Sequence, residues 1–299
     1  MTHVLILISP PDDPAIDAAA LGAAADAVGM TATQAQILAP GKAAELRLPA
    51  GTAPQAARAA ASQALAGRPI DAVVLPVSDR RKKLLVADMD STMIQQECID
   101  ELADRLGRKA DVAAITEKTM RGEIDFPTSL RSRAAMVAGL PASIIDEVFD
   151  ASITFTPGGA TMIATLRAAG IYTALVSGGF TDFTGRVRSR IGFDEDRANR
   201  LVVDASGNLT GGVHEPILDS AAKRTALDEL AGRLGIAVSE TAALGDGAND
   251  CDMIAHAGLG IGYRPKPKLA AVSDAILRHA DLTGVLYLMG FRETEFAAA

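Results

Sequence analysis

LLVADMDST, residues 84–92, runs four apolar residues straight into two aspartates separated by a single methionine, then a serine and a threonine. A short apolar run bounded by polar residues reads as a fully buried strand, of the kind found inside parallel sheets. Side chains alternate along a strand, so Asp88 and Asp90 start on one side with little room between their charges. Two anions that close repel unless a cation or a shared proton lies between them. Aspartate is also common where a strand enters a turn, so the stretch by itself fits a solvated strand end as well.

Downstream, strand and helix patterns alternate. Strands are expected at 84–87, 171–177 (IYTALVS), 201–205 (LVVDA), 241–245 (TAALG), 259–262 (LGIG) and 275–277 (AIL), with helices such as 159–170 and 222–235 between them. That alternation predicts an α/β fold with a Rossmann-like parallel sheet. GNLTGGV (207–213) reads as a hairpin or flap. About eighty residues separate the first two strands, far more than one crossover helix requires. Residues 93–155 carry helical patterns broken at glycines and prolines, namely IQQECIDELADRLG, ADVAAITEKTMRG, FPTSLRSRAAMVAG and PASIIDEVFD. They predict a helical cap over the carboxyl ends of the strands, where open α/β sheets hold their ligands.

Upstream, residues 1–80 read as a unit of their own, followed by a second unit at 81–299. A strand at 3–9, a helix at 15–29, strands at 31–39 and 42–49, a helix at 52–67 and a strand at 70–77 give the ferredoxin-like order βαββαβ. Thr52 is the expected N-cap of the second helix, with Pro54 in its first turn. SDRRKK (78–83) reads as a solvated, charged linker.

Composition narrows the classes. The 299 residues are 48% hydrophobic and carry a formal charge of −8, a globular balance without the basic footprint of a nucleic-acid surface. Local cations still permit an anionic substrate. The two cysteines, Cys98 and Cys251, have no zinc spacing and fit a reducing, cytoplasmic setting. HVLILISP is too short and lacks the basic leader of a signal peptide, and no apolar run is long enough to span a membrane.

Three strand ends hold the chemistry. Beside DMDST stand LVSGGF (175–180), where small residues let backbone N–H groups approach an anion, and LGDGANDCDMI (244–254), which crowds Asp246, Asn249 and Asp250 together. Convergent hard oxygen ligands of this kind suit Mg²⁺, which also answers the repulsion between Asp88 and Asp90. Lys223, in DSAAKRTALDEL, opens the helix before the third motif. A carboxylate nucleophile, a cation, a lysine and an N–H cradle together describe phosphoryl transfer through an aspartyl-phosphate.

DMDST, SGGF, Lys223 and GDGAND, in that order and spacing, resemble the haloacid-dehalogenase-like phosphatases. The longer patterns DMDSTMIQQECIDELA and MRGEIDFPTSLRSRAAMVAGLP are similar to the branch of that family that hydrolyses phosphoserine. The resemblance covers about residues 84–290, and the front unit is similar to the ACT-like domain of some bacterial members. The resemblance implies that Asp88 is the nucleophile and that Asp90 is the general acid, then the base. It implies Mg²⁺ on Asp88, the Asp90 carbonyl, Asp246 and Asp250, and phosphoryl oxygens on Ser177, Gly178, Lys223 and Asn249. For O-phospho-L-serine it implies Glu97 on the ammonium, Arg133 on the carboxylate, and Met120 and Phe126 as apolar walls. Met89, Met93 and Cys251 depart from the commonest family wording by apolar swaps of similar bulk. Another small phosphomonoester, or a regulatory amino-acid-binding role, is the remaining alternative. A homodimer through edge-to-edge front units is the expected assembly.

Overall fold

The computed structural model describes residues 2–120 and 123–298. The chain begins with β1 (His3–Ile8), α1 (Ala18–Ala27), β2 (Gln36–Ala39), β3 (Ala43–Arg47), α2 (Pro54–Ala64) and β4 (Asp71–Pro76). The strands form an antiparallel sheet in the order β2-β3-β1-β4, as a ferredoxin-like chain should. β1 is apolar on both sides because both its faces are covered. Leu5 and Leu7 pack with Ala20, Ala24, Ala57 and Ala61 of the two helices, while Val4, Ile6 and Ile8 join the larger core that continues into the rest of the molecule.

Local chemistry sets the helix ends. Asp17 caps α1 by accepting the Ala20 N–H at 2.7 Å. Pro54 opens α2 as expected, but the N-cap is Ala53, without a side-chain bond. Thr52 donates its hydroxyl to the Pro49 carbonyl instead, at 2.8 Å. The strand expected over 31–39 is confined to Gln36–Ala39, after a short 3₁₀ turn at Ala32–Gln34.

The charged segment 78–83 is only partly a solvated linker, since Ser78, Asp79, Arg81 and Lys83 are exposed but Arg80 and Lys82 are drawn in. Arg80 pairs with the buried Glu45 at 2.7 Å, and Arg81 stacks over Phe291 at 4.0 Å from the ring centroid. Lys82, 8% exposed, donates to the Ser239 carbonyl at 2.7 Å. The segment joins two packed layers and runs through their seam, so its cations find acceptors on both sides. Asp71, also buried, accepts the backbone N–H groups of Arg278, His279 and Ala280, each at 3.0 Å.

The second layer comprises β5 (Leu84–Ala87), α3 (Cys98–Asp104), α4 (Lys109–Met120), α5 (Phe126–Ala135), α6 (Ile144–Ser152), α7 (Gly159–Ala168), β6 (Tyr172–Phe180), α8 (Thr181–Ile191), β7 (Glu195–Asn199), β8 (Leu201–Val203), β9 (Leu209–Val213), α9 (Ser220–Leu234), β10 (Thr241–Gly245), β11 (Gly260–Tyr263) and β12 (Ala275–Leu277). Six of the strands form a parallel sheet in the order β12-β11-β10-β5-β6-β7. β5 therefore lies between β10 and β6, and the three motif-bearing strand ends are neighbours. α3 to α6 make up the helical cap.

One strand expectation is corrected. LVVDA (201–205) does not enter the parallel sheet, since β8 pairs antiparallel with β9 as a separate hairpin. The edge place belongs to EDRAN (195–199), whose half-exposed charged residues hide a strand from hydrophobic pattern while protecting the sheet edge. The hairpin straps the cap. Gly139 N–H donates to the Leu209 carbonyl, Leu209 N–H to the Leu140 carbonyl, and Ala142 N–H to the Gly207 carbonyl, at 2.8, 2.8 and 2.9 Å. Among the described residues, no helix is long and apolar enough to cross a membrane.

Candidate active site

β5 ends at Ala87, and the next residue continues its ladder through the Asp88 N–H to the Leu244 carbonyl at 2.9 Å. The chain then turns sharply, with Ser91 at φ +56°, and enters the cap. Asp88 is 2% exposed and accepts the Met89 N–H at 2.7 Å, which fixes one carboxylate oxygen. Asp219 caps α9, and the first turn of that helix brings Lys223 beneath the sheet edge. The Lys223 ammonium lies 2.8 Å from Asp88 Oδ1 and 2.7 Å from Asp250 Oδ1, fully buried. Burial works against that charge, but Asp250 and Asp88 outweigh it and hold the ammonium above the ordinary lysine range.

Asp88, Asp246 and Asp250 bring carboxylate oxygens within 4.8 Å of one another, all buried. Burial, then Asp88, pushes the Asp250 carboxyl up to about 7 against the pull of Lys223. Lys223, with Lys266 on Asp246, gives two cations against three clustered carboxylates and leaves negative charge uncompensated. The donor set is hard oxygen throughout, and Asp90 Oδ1 is buried without a partner beside it, so the cluster fits a divalent cation such as Mg²⁺. The crowding needs Gly245, because a Cβ there would fall 2.5 Å from the Asp250 carboxylate. Asn249 Nδ2 reaches Asp88 Oδ2 at 3.3 Å.

The SGG segment does not leave the sheet as a simple turn. β6 runs on to Phe180, and its pairing with β7 jumps from Val176↔Arg197 to Phe180↔Asn199. Ser177 to Gly179 thus bulge out of register beside the site, a device that re-aims backbone groups. Ser177 Oγ accepts the Gly179 N–H at 2.9 Å, and Asn199 Nδ2 pins the Gly178 carbonyl at 2.9 Å. A Cβ on Gly178 would lie 2.9 Å from the Phe126 ring, so the cap closes directly onto this bulge.

Asp90 lies among like charges. Burial, with help from Glu97 and Asp88, raises its carboxyl well above the usual range, while hydrogen bonding from Cys98 pulls the other way. Glu97 is raised too, first by burial and then by Asp246, and it accepts the Ser91 hydroxyl at 2.9 Å.

One cavity of about 410 Å³ gathers Asp88, Asp90, Glu97, Phe126, Arg133, Ser177, Gly178, Asp246 and Asn249. Lys223 and Asp250 lie beneath its floor, and the Met120 side chain falls outside the described residues. Two residues that the motifs left out shape the site, Lys266 on the cavity wall and Asn199 behind the Gly178 carbonyl. Lys266 lines the cavity and pairs with Asp246 at 3.0 Å. It follows β11, the neighbour of β10, so the carboxyl end of one more parallel strand was the signal to read. Asn199 carried no such signal, because its value depends on the bulge opposite.

The family model for haloacid dehalogenase-like hydrolases matches residues 85–255. Phosphoserine phosphatase SerB2 of Mycobacterium tuberculosis is 45% identical over 220 residues, 74% of this chain and 53% of the relative. The chain therefore spans about half the length of that relative. A crystal structure of a haloacid dehalogenase family hydrolase from Salmonella enterica serovar Typhi superposes with a TM-score of 0.84 at 30% identity, covering 96% of this chain and 98% of that one. A phospho-aspartyl intermediate analogue of phosphoserine phosphatase superposes with a TM-score of 0.65 at 37% identity, over 69% of this chain and 98% of its own. With the neighbouring strand ends, the buried lysine and the family match over the same segment, this chain belongs to the haloacid dehalogenase-like hydrolases.

Proposed function

We propose that the chain hydrolyses O-phospho-L-serine to L-serine and phosphate through an aspartyl-phosphate on Asp88. The carrying observation is that one cavity joins the Asp88–Lys223–Asp250 cluster to Glu97 and Arg133 in the cap. That matches a substrate with a phosphate at one end and an ammonium and a carboxylate at the other. The names of its relatives support the same reading.

Lys223, the Ser177 hydroxyl and the Gly178 N–H hold the phosphoryl oxygens, with Asn249 beside them. A carboxylate oxygen of Asp88 attacks phosphorus, and the bond to the serine oxygen breaks. Asp90 gives that oxygen its proton, the role its raised pKa suits. Now a carboxylate, Asp90 takes a proton from water, whose oxygen attacks phosphorus and releases phosphate from Asp88. Mg²⁺ would be held by the Asp88, Asp246 and Asp250 carboxylates and the Asp90 carbonyl, and when bound supplies positive charge against the phosphate. Glu97 takes the ammonium and Arg133 the carboxylate, with Phe126 excluding water.

Phosphate release is to be measured over a panel of phosphomonoesters, with Mg²⁺ and with chelator. The reading expects O-phospho-L-serine to lead and chelation to abolish turnover. Asp88→Asn should lose at least a thousandfold in kcat, and retained Mg²⁺-dependent release by that variant would rule out the nucleophile.

The proposal also takes residues 1–80 as an ACT-like unit and 81–299 as the phosphatase unit, acting in the cytoplasm. It pairs front units edge to edge in a homodimer. The free edge strand β2, with Ile37 47% exposed, supports that pairing, and light scattering on the eluted protein tests it.

A further inference from the structure

Ser129 on α5 is 1% exposed and lines the site cavity, yet its hydroxyl has no hydrogen-bond partner. Helix hydroxyls commonly satisfy themselves on the carbonyl four residues back. Others in the cap do so. Thr116 donates to Val112 O at 3.2 Å, Thr119 to Ile115 O at 3.0 Å and Ser132 to Thr128 O at 2.8 Å. Ser129 has not taken that route.

One turn further along, Arg133 also lines the cavity, and its Nε is buried without a partner. Residues four apart lie on one helix face, so two orphaned donors stand side by side. Buried polar groups are normally paired, and an unpaired one is unfavourable until something accepts from it. A group able to accept from both at once is a carboxylate, planar and anionic. Glu97, lining the same cavity, leaves the opposite charge for an ammonium.

We infer that the Ser129 hydroxyl and the Arg133 Nε–H together form the receptor for the substrate carboxylate, which makes Ser129 a specificity-determining residue. The inference rests on the phosphoserine reading. A phosphomonoester without a carboxylate leaves both donors unpaired, and sites built to pair a polar group reject ligands that lack it.

O-phosphoethanolamine provides the comparison, since it keeps the phosphate and ammonium and lacks only the carboxylate. Steady-state kinetics on both esters, with thermal melts, are to be taken for the wild type, Ser129→Ala and Arg133→Ala. In Ser129→Ala the ratio of kcat/KM for phosphoserine to that for phosphoethanolamine should fall about tenfold, mainly through KM. Its melting temperature should stay level or rise, because an unpaired buried hydroxyl is gone. An unchanged ratio in Ser129→Ala beside a lowered one in Arg133→Ala overturns the inference. So does a lower melting temperature with equal losses on both esters, the mark of a structural role. A wild type that does not prefer phosphoserine overturns the substrate reading first, and the inference with it. Should Ser129→Ala fail to fold, Ser129→Cys, near in volume and a weaker donor, gives the same ratio test.

Discussion

At the scale of single residues, the site is a problem of uncompensated charge solved in two places. On the floor, Lys223 stands between Asp88 and Asp250 and Lys266 pairs with Asp246, and the third carboxylate's charge suits a cation. On the cap side, the guanidinium of Arg133 lines the cavity with its Nε unpaired and is the selecting group under the proposed reading. Arg133→Ala should raise KM for phosphoserine by about 10- to 100-fold, the loss of a charge-assisted bond, while p-nitrophenyl phosphate turnover changes far less. Arg133→Lys should rescue little, because an ammonium lacks the planar fork and the Nε donor. Equal losses on both substrates would remove Arg133 from substrate recognition. Asp88, Asp90, Asp246 and Lys223 were legible in the sequence because each sits at a strand end or helix start whose position the pattern reveals. Ser129 and Asn199 were not, since their meaning lies in which partners they have or lack.

At the scale of elements, the bulge after Val176 decides where the Ser177 hydroxyl and the Gly178 and Gly179 backbone groups point, and an edge strand holds it in place. Asn199, 3% exposed, donates to the carbonyls of Gly178 and Leu218 and accepts the Leu218 N–H at 2.7 Å. Asn199→Ala strands three backbone groups in a buried place. The expected outcome is a loss of about 2–4 kcal/mol in urea unfolding, with kcat/KM falling on every phosphomonoester alike. A stability loss that left kcat/KM intact would mean that the bulge keeps its shape without Asn199. The hairpin of β8 and β9 offers a second case. Gly211 sits at φ +80°, and a Cβ there would lie 2.9 Å from the Ala135 Cα on α5. Gly211→Val should push the hairpin off the cap and raise KM for phosphoserine several-fold, because α5 also carries Arg133. Unchanged KM would show that the strap does not position α5. GNLTGGV announced a hairpin, but neither its partner strand nor the edge strand β7 was readable by hydrophobic pattern. β7 is charged because it is an edge, and LVV looks like a core strand although it pairs only with a hairpin partner.

At the scale of the whole molecule, the two sheets share one continuous core, which explains why the first strand is apolar on both faces. The βαββαβ order of the front unit and the strand–helix alternation of the second were legible in the sequence, whereas the edge strand β7 and the seam between the two sheets were not. Its anchors are charges in SDRRKK and Asp71, residue types that sequence reading assigns to solvent. Asp71 is the sharpest test of that seam. Its buried carboxylate takes three consecutive backbone N–H groups beyond β12, which no neutral side chain of its size can match. Asp71→Ala should lower stability by about 2–4 kcal/mol and speed hydrogen exchange at Arg278, His279 and Ala280. Catalysis should change little well below the melting temperature, because β12 lies three places from β5 in the sheet. Asp71→Asn, which keeps one accepting oxygen, should fall between the two. If Asp71→Ala instead lost kcat in proportion to the exchange it allows at the seam, the front sheet would be coupled to the site and would not merely be packed against the catalytic layer.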